Sequence, residues 1–464
     1  MILGIFEILL KLSLINKILA SASINMKKLK WFLLILLAVL VVTLYLNYPK
    51  LNIMTGYSAK SMASSVFLAG RDFEATDITD NNFSPVNLAD DEIDVDSKST
   101  SATLFGMKER EAIYRDGLGC VLVPEDIDYK PLSTKPNRVK RIDTLAYPYG
   151  NLPQKDTVFS NVNYDKLNTI VAKYGKADTK TRALLVIYKD QIIAEKYANG
   201  FNKNSKLLGW SMTKSITGTL FGILQSQGKL NVNDPAPIES WQNDDRKNIT
   251  LNNLLQMNSG LEWEENYATI SDVTKMLFLE SDMTKTQIDK PLAGKPDESW
   301  NYSSGTTNLL SGILRQQFKT HQAYLDFWYT NLIDKIGMYS MTVETDYDGN
   351  YVGSSYGWAT ARDWAKFGML YLHKGNWNGE QIFDTSWADY AVQPTNSSNG
   401  RYGAQIWLNA GGFLPDVPKN VFSFNGFQGQ RVYMFPTKDL VVVRLGLQEL
   451  DYNDLLSEID ESIE

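Results

Sequence analysis

Hydrophobic and polar positions divide the chain into three stretches with different rhythms. The first is an unbroken apolar run, Trp31 to Tyr48. As a helix rising about 1.5 Å per residue it reaches about 27 Å, close to the hydrocarbon thickness of a bilayer. Lys27, Lys28 and Lys30 precede it, and the positive-inside rule then keeps the N-terminus cytoplasmic and sends the rest across. The residues that follow, Pro49-Lys50-Leu51-Asn52, offer no small-residue cleavage site, so an uncleaved signal anchor over 31–48 is expected rather than a signal peptide. Residues 1–25 form a second apolar stretch broken by Glu7, Lys11 and Lys17, and Met26 opens a more usual signal. The expectation is therefore a cytoplasmic segment 1–30 of which 1–25 are not native.

The second stretch, 49–157, has no sustained period and reads as an extension of unassigned role. Between Asp72 and Ser97 acidic residues recur with no Lys or Arg, which predicts a solvated loop; the EF-hand spacing and its glycine are absent. Thr103-Leu104-Phe105, Ala112-Ile113-Tyr114 and Cys120 to Val123 predict short strands, with Cys120 as a small buried residue. Tyr147 to Pro153 predicts a linker.

From Val158 the pattern becomes regular. Tyr164–Tyr174 has a helical period. Ala183–Tyr188 and Ile192–Tyr197 are apolar runs around a Lys189-Asp190-Gln191 turn, which predicts a hairpin. A long apolar helix follows Gly209-Trp210-Ser211-Met212-Thr213-Lys214. A short capped helix is predicted within 249–261, ending at Gly260, and another over Asn308–Phe318. An amphipathic helix is predicted within 353–372. A Gly-rich strand, Val421–Gln430, leads into a hairpin formed by Arg431–Phe435 and Leu440–Arg444, and a polar helix closes the chain over 451–463.

Chemistry enters at Ser211 and Lys214. Positions three apart share a helix face, so hydroxyl and amine can meet in the first turn, where free N–H groups and the helix dipole favour negative charge. A buried lysine has a lowered pKa and can take the serine proton. The bland alternative is an N-capping serine beside a surface lysine. A second Ser-x-x-Lys, Ser226 to Lys229, reads instead as a helix C-terminus with Gly228 as the stop. Tyr302, on the polar loop Ser299–Gly305, can place a phenol beside the pair, where an ammonium would lower its pKa toward a phenolate base; the alternative is packing under the loop. Trp263 and Tyr267 are candidates for a pocket wall or for rim packing. Gly426 and Gly429 allow close backbone approach, and an N–H on this strand can complete an oxyanion hole begun by the N–H of Ser211. Asp363 is expected to cap or pair within the scaffold, His373 to end a helix, and His321 to lie on the surface.

Composition narrows the alternatives. The hydrophobic content of 44% supports a sizeable core, and a net charge of -7 without a basic stripe argues against nucleic acid as a partner. Cys120 is the single cysteine, which removes intrachain disulfides, a lipid-anchored N-terminus and cysteine zinc sites; neither histidine has ligand spacing. No metal or cofactor is expected. A Ser-His-Asp hydrolase would need Gly-x-Ser-x-Gly and a late histidine, and neither is present.

Taken together, Ser211-x-x-Lys214, Tyr302-Ser303-Ser304 and the Gly-rich strand at 424–430 stand in the order that resembles the serine β-lactamase-like superfamily, nearest to the class C-related branch with its DD-peptidases, esterases and 6-aminohexanoate-dimer hydrolases. The runs at 251–261 and 361–372 are similar as well, and the resemblance covers about 158–464. It implies a β-lactamase/transpeptidase-like α/β (α+β) fold: an antiparallel sheet flanked by helices, an all-helical subdomain, and here a preceding transmembrane helix. It implies an acyl-enzyme hydrolase with Ser211 as nucleophile, Lys214 as base and Tyr302 hydrogen-bonded to both. It also implies that the N–H of Phe427 completes the oxyanion hole, with Asn425, Gly426 and Ser304 at the substrate.

Two departures bear on substrate. The family's Tyr-x-Asn amide is Ser304 here, and the lysine of its Lys-Thr-Gly strand is Phe424, which cannot receive a carboxylate. The pattern is thus nearer the aminohexanoate-dimer hydrolase and esterase side. The expected substrate is a small amide or ester, or a cell-envelope peptide, met outside the cytoplasm. The alternatives are a non-catalytic or weakly active penicillin-binding-like envelope protein, and a D-amino-acid peptidase or esterase.

Overall fold

The computed structural model describes residues 2–125, 127, 129–140, 144–150 and 152–464, with the side chains of 2–26, 44, 49 and 50 outside that description. The side chains of the upstream apolar stretch, and Asn151 of the expected linker, therefore lie outside it. The chain forms two compact units, 1–52 and 53–464. The first is helical, within a helix spanning Ile2–Ala63. Its Lys27–Tyr48 segment reaches a mean hydropathy of 2.5 over an 18-residue window and is long and apolar enough, by length and composition, to cross a membrane.

The second unit is built on a six-stranded antiparallel sheet. Its order is Trp407–Leu408, Phe422–Gly426, Gln430–Phe435, Leu440–Gly446, Thr181–Tyr188 and Gln191–Tyr197. The two central strands, Leu440–Gly446 and Thr181–Tyr188, are buried throughout and read as near-continuous apolar runs because both faces are covered. Side chains alternate between two cores as the pleat requires. Leu185, Ile187, Val432, Met434, Val441 and Val443 pack under the helices Thr213–Ser226 and Ala361–Leu372. Leu184, Val186, Tyr433, Phe435 and Val442 pack under Tyr164–Tyr174 and Tyr452–Asp460. Lys189 and Asp190 adopt positive φ between the first two of the sequence-predicted strands, the geometry of a tight hairpin.

The helix Thr213–Ser226 is buried along its length from Thr213 to Leu224. Its hydroxyls are absorbed internally: Ser215 donates to the Gln405 carbonyl and Thr217 to the Gly353 carbonyl. Gly222 takes the Trp387 ring where a Cβ would lie 2.4 Å from it. As the sequence predicts, Gly228 lies beyond its C-terminus with φ +66°, and Ser226 bonds back to the Gly222 carbonyl.

The extension departs from expectation. The acidic stretch is not a solvated loop: it contains a helix, Phe73–Asp80, and a strand, Asp90–Asp94, that opens a four-stranded antiparallel meander with Ser99–Leu104, Met107–Arg115 and Gly119–Leu122. Asp80 pairs with Arg71 and Arg182 and Asp91 accepts from Ser58, so two of the acids are structural. Burial raises the Asp91 carboxyl to about 6. Sequence pattern missed this because the arginines that pair with Asp80 and the Ser58 hydroxyl that bonds Asp91 lie outside the acidic run.

The loop–helix boundary after Tyr302 also moves: the helix begins at Ser304, capped by Ser303, and runs to Gln316. His321 is half-buried rather than on the surface, stacked on Tyr324 with Nε2 at 2.8 Å from the Gly349 carbonyl. Asp363 pairs with Lys366 and accepts from Ser340, and His373 caps its helix, as expected.

Candidate active site

Ser211 sits in a single 3-10 turn, Trp210–Met212, that feeds directly into the helix Thr213–Ser226. The turn is set by its neighbours. Gly209 lies against Trp364, where a Cβ would come within 2.2 Å of the ring, and its N–H donates to the Gly357 carbonyl. Trp210 adopts φ +48°, a conformation rare for a bulky residue and a local strain the surroundings must hold. The strand Phe422–Gly426 closes on this turn so tightly that a Cβ on Gly426 would lie 2.1 Å from the Gly209 carbonyl oxygen.

Lys214 and Ser211 meet, as the three-residue spacing predicts. The Lys214 Nζ is 3.0 Å from Ser211 Oγ, 2.9 Å from Ser304 Oγ and 2.9 Å from the Ser354 carbonyl. Lys214 is almost wholly buried, and burial lowers its pKa to about 8, with the Glu265 carboxylate opposing. An N-capping serine with a surface lysine is thereby excluded.

Tyr302 differs from expectation in two respects. The three protons of Lys214 are directed at Ser211, Ser304 and Ser354, so the Tyr302 phenol is not its hydrogen-bond partner; the ammonium lies over the ring, 5.0 Å from its centroid. The phenol pKa is raised, not lowered. Burial is the main cause and Glu265 adds to it, while a hydrogen bond with Ser211 opposes. Tyr302 is therefore a neutral phenol beside the serine.

Ser304, where the family often carries the asparagine amide, links the lysine to an acid that sequence reasoning missed. Its Oγ accepts from Lys214 and donates to Glu265, and its N–H donates to the other Glu265 oxygen at 2.8 Å. Trp263 is a support rather than a pocket wall: it is buried under Gly305 and its indole N–H donates to Glu265 at 2.6 Å. Glu265 stands between two of the singled-out aromatics, and that proximity is the only sequence signal that could have found it.

Tyr267 and Phe427 stack at 5.0 Å and form one side of the site, with Phe427 edge-on to Trp210 at 5.6 Å. The amide oxygen of Asn425 is buried and lacks a hydrogen-bond partner. Asn425 lines a groove with Trp407, Arg431 and Phe413. Trp407 lies 5.1 Å from the Tyr302 ring, and Trp300 and Tyr402 complete this aromatic cluster. Phe424 is fully buried, stacked on Phe367 at 4.6 Å, and brings no cation to the substrate. Arg431, in register with Asn425, is bonded to the Gly426 carbonyl and paired with Glu449.

An antiparallel sheet between helical layers, with a Ser-x-x-Lys turn at the foot of a buried helix, defines the β-lactamase/transpeptidase-like fold. The Beta-lactamase family model matches residues 167–448, and the chain belongs to that family. It is similar to the 6-aminohexanoate-dimer hydrolase of Paenarthrobacter ureafaciens, 23% identical over 301 residues that span 58% of this chain and 73% of the relative. Among solved structures, a Bacillus anthracis protein assigned as a 6-aminohexanoate-dimer hydrolase superposes with a TM-score of 0.56 at 23% identity, covering 71% of this chain and 90% of that one. A family VIII carboxylesterase superposes with a TM-score of 0.52 at 13% identity, covering 65% and 97%.

Proposed function

We propose that the protein is a serine hydrolase that cleaves a small amide or ester through an acyl-enzyme on Ser211. The observation that carries this is the buried Lys214, poised near neutrality, 3.0 Å from the Ser211 hydroxyl. Ser211 Oγ attacks the carbonyl as its proton passes to neutral Lys214. The N–H groups of Ser211 and Phe427 hold the oxyanion. The leaving group takes its proton from the Tyr302 phenol, and the resulting phenolate is balanced by the new ammonium over its ring. Water then attacks the acyl-enzyme and reprotonates Tyr302, while Lys214 returns its proton to Ser211. The role of Glu265, through Ser304, is to aim the lysine. Likeness to the 6-aminohexanoate-dimer hydrolase favours an amide-type bond, and Phe424 in place of a cation favours substrates without a carboxylate anchored at that position. The Lys27–Tyr48 helix supports anchoring in a membrane with the hydrolase outside the cytoplasm.

A fluorophosphonate is expected to add one adduct to the full chain, read by intact mass, and Ser211→Ala to abolish it. Absence of an adduct on the wild type would favour a non-catalytic envelope protein. A penicillin adduct would restore carboxylate substrates despite Phe424.

The labelling rate should also depend on pH. With a lysine pKa of about 8, the reactive neutral amine is about a tenth of the total at pH 7 and about nine-tenths at pH 9, so the rate rises through that window. The Glu265 charge raises this pKa, so Glu265→Gln should move the midpoint to lower pH. A midpoint unmoved by the substitution would show that Glu265 does not act on Lys214 electrostatically.

A further inference from the structure

Sequence resemblance begins near residue 158, yet the turn that carries the nucleophile is held partly by the extension before it. Trp210, in its left-handed conformation, has three aromatic neighbours among the described residues. Two, Tyr356 at 6.1 Å and Phe427 at 5.6 Å, come from the matched region. The third is Tyr57, stacked on the indole at 6.3 Å with an interplanar angle of 19°. Tyr57 is itself boxed by Phe83 at 5.3 Å and by Phe278 at 5.5 Å.

The segment bearing Tyr57 is pinned one turn further on. Lys60 enters a buried pair with Glu344 at 2.6 Å, and Glu344 also accepts from Ser64, the Cys120 N–H and the Trp358 indole. Such a pair cannot be separated cheaply, because either partner left alone is an uncompensated buried charge. Residues 53–63 are thus fixed against the catalytic part, within one compact unit.

Trp210 touches both halves of the proposed oxyanion hole. Its own peptide carbonyl carbon bears the Ser211 N–H, and its ring abuts Phe427. We infer that Tyr57 is a positioning residue: by clamping the Trp210 ring it holds the left-handed turn, and through it the Ser211 and Phe427 N–H groups, in the geometry the tetrahedral intermediate needs. The extension is then a working part of the hydrolase. This inference rests on the Ser211 reading above.

The test compares full-chain wild type with Tyr57→Phe, Tyr57→Leu and Tyr57→Ala, using fluorophosphonate labelling. Each is scored for the final fraction labelled and for the rate constant of labelling per active site. Tyr57→Phe keeps the stacking face and should match wild type. Tyr57→Leu and Tyr57→Ala should reach full labelling with a rate constant lowered about 10- to 100-fold, and with the pH midpoint set by Lys214 unmoved. A purely structural role would instead lower the fraction labelled and leave the rate per site unchanged, which overturns the inference. Tyr57→Leu, which keeps apolar volume, carries the comparison if the alanine variant does not fold. A wild-type chain that takes no label removes the Ser211 reading and this inference with it; a labelled wild type with an unchanged Tyr57→Leu rate constant removes this inference alone.

Discussion

Lys214→Met should lower fluorophosphonate labelling and ester turnover by about a thousandfold or more while leaving the protein folded. The expectation follows from the geometry of a single nitrogen. Among the described residues Lys214 Nζ is the amine hydrogen-bonded to Ser211, its contacts with Ser304 and the Ser354 carbonyl aim it there, and the Tyr302 phenol beside the serine is held neutral. General base catalysis contributes about 10²- to 10⁴-fold, and removing one member of a cooperating group forfeits nearly the whole group's effect. Stability should hold, because methionine fills the stem's volume and removes a buried charge whose desolvation already lowers its pKa. Ser304 keeps both of its bonds to Glu265, while the Ser211 hydroxyl and the Ser354 carbonyl lose the lysine donor, a cost of about 1 kcal/mol. Labelling by the variant within tenfold of wild type would exclude Lys214 as the base and shift attention to Tyr302.

A second large effect is expected from one methyl group. Gly426→Ala places a Cβ, fixed rigidly to the strand backbone, 2.1 Å from the Gly209 carbonyl oxygen, a backbone atom of the residue before the nucleophile turn. Neither side can yield by rotating a side chain. The strand or the turn must retreat, which should destabilise the fold by about 3 kcal/mol. The same retreat widens the gap between the Ser211 and Phe427 N–H groups and should slow labelling about a hundredfold in whatever remains folded. Gly294→Ala is the control: its Cβ would meet only the Ser299 hydroxyl oxygen at 3.5 Å, and its stability and rate should match wild type. Thermal melts and labelling rates on the two variants decide the matter, and equal behaviour would contradict the close packing of strand on turn.

Much of this architecture was legible because it is local. The Tyr164–Tyr174 helix, the hairpin around Lys189 and Asp190, and the meeting of Ser211 with Lys214 all depend on residues within a few positions of one another. What remained hidden depends on distant partners. Nothing near Glu265 in sequence announces that it will bond Ser304, and nothing near Asp80 announces Arg182. Tyr302 shows the subtler limit. Its proximity to Lys214 was predictable, but its protonation turns on burial and on Glu265, neither of which a motif contains. The acidic stretch failed for a related reason: charge density predicts solvent only when the countercharges are unknown.

Cys120 offers a way to watch the extension in solution. The thiol is fully buried in the meander, its backbone N–H is bonded to Glu344, and burial pushes its pKa far above the ordinary thiol range. It is also the only sulfhydryl in the chain. A chromogenic disulfide reagent should therefore be blind to the native protein and report every excursion in which the meander lifts from its seat. The reaction kinetics become a clock for that opening, with no label to introduce and no second cysteine to confuse the count.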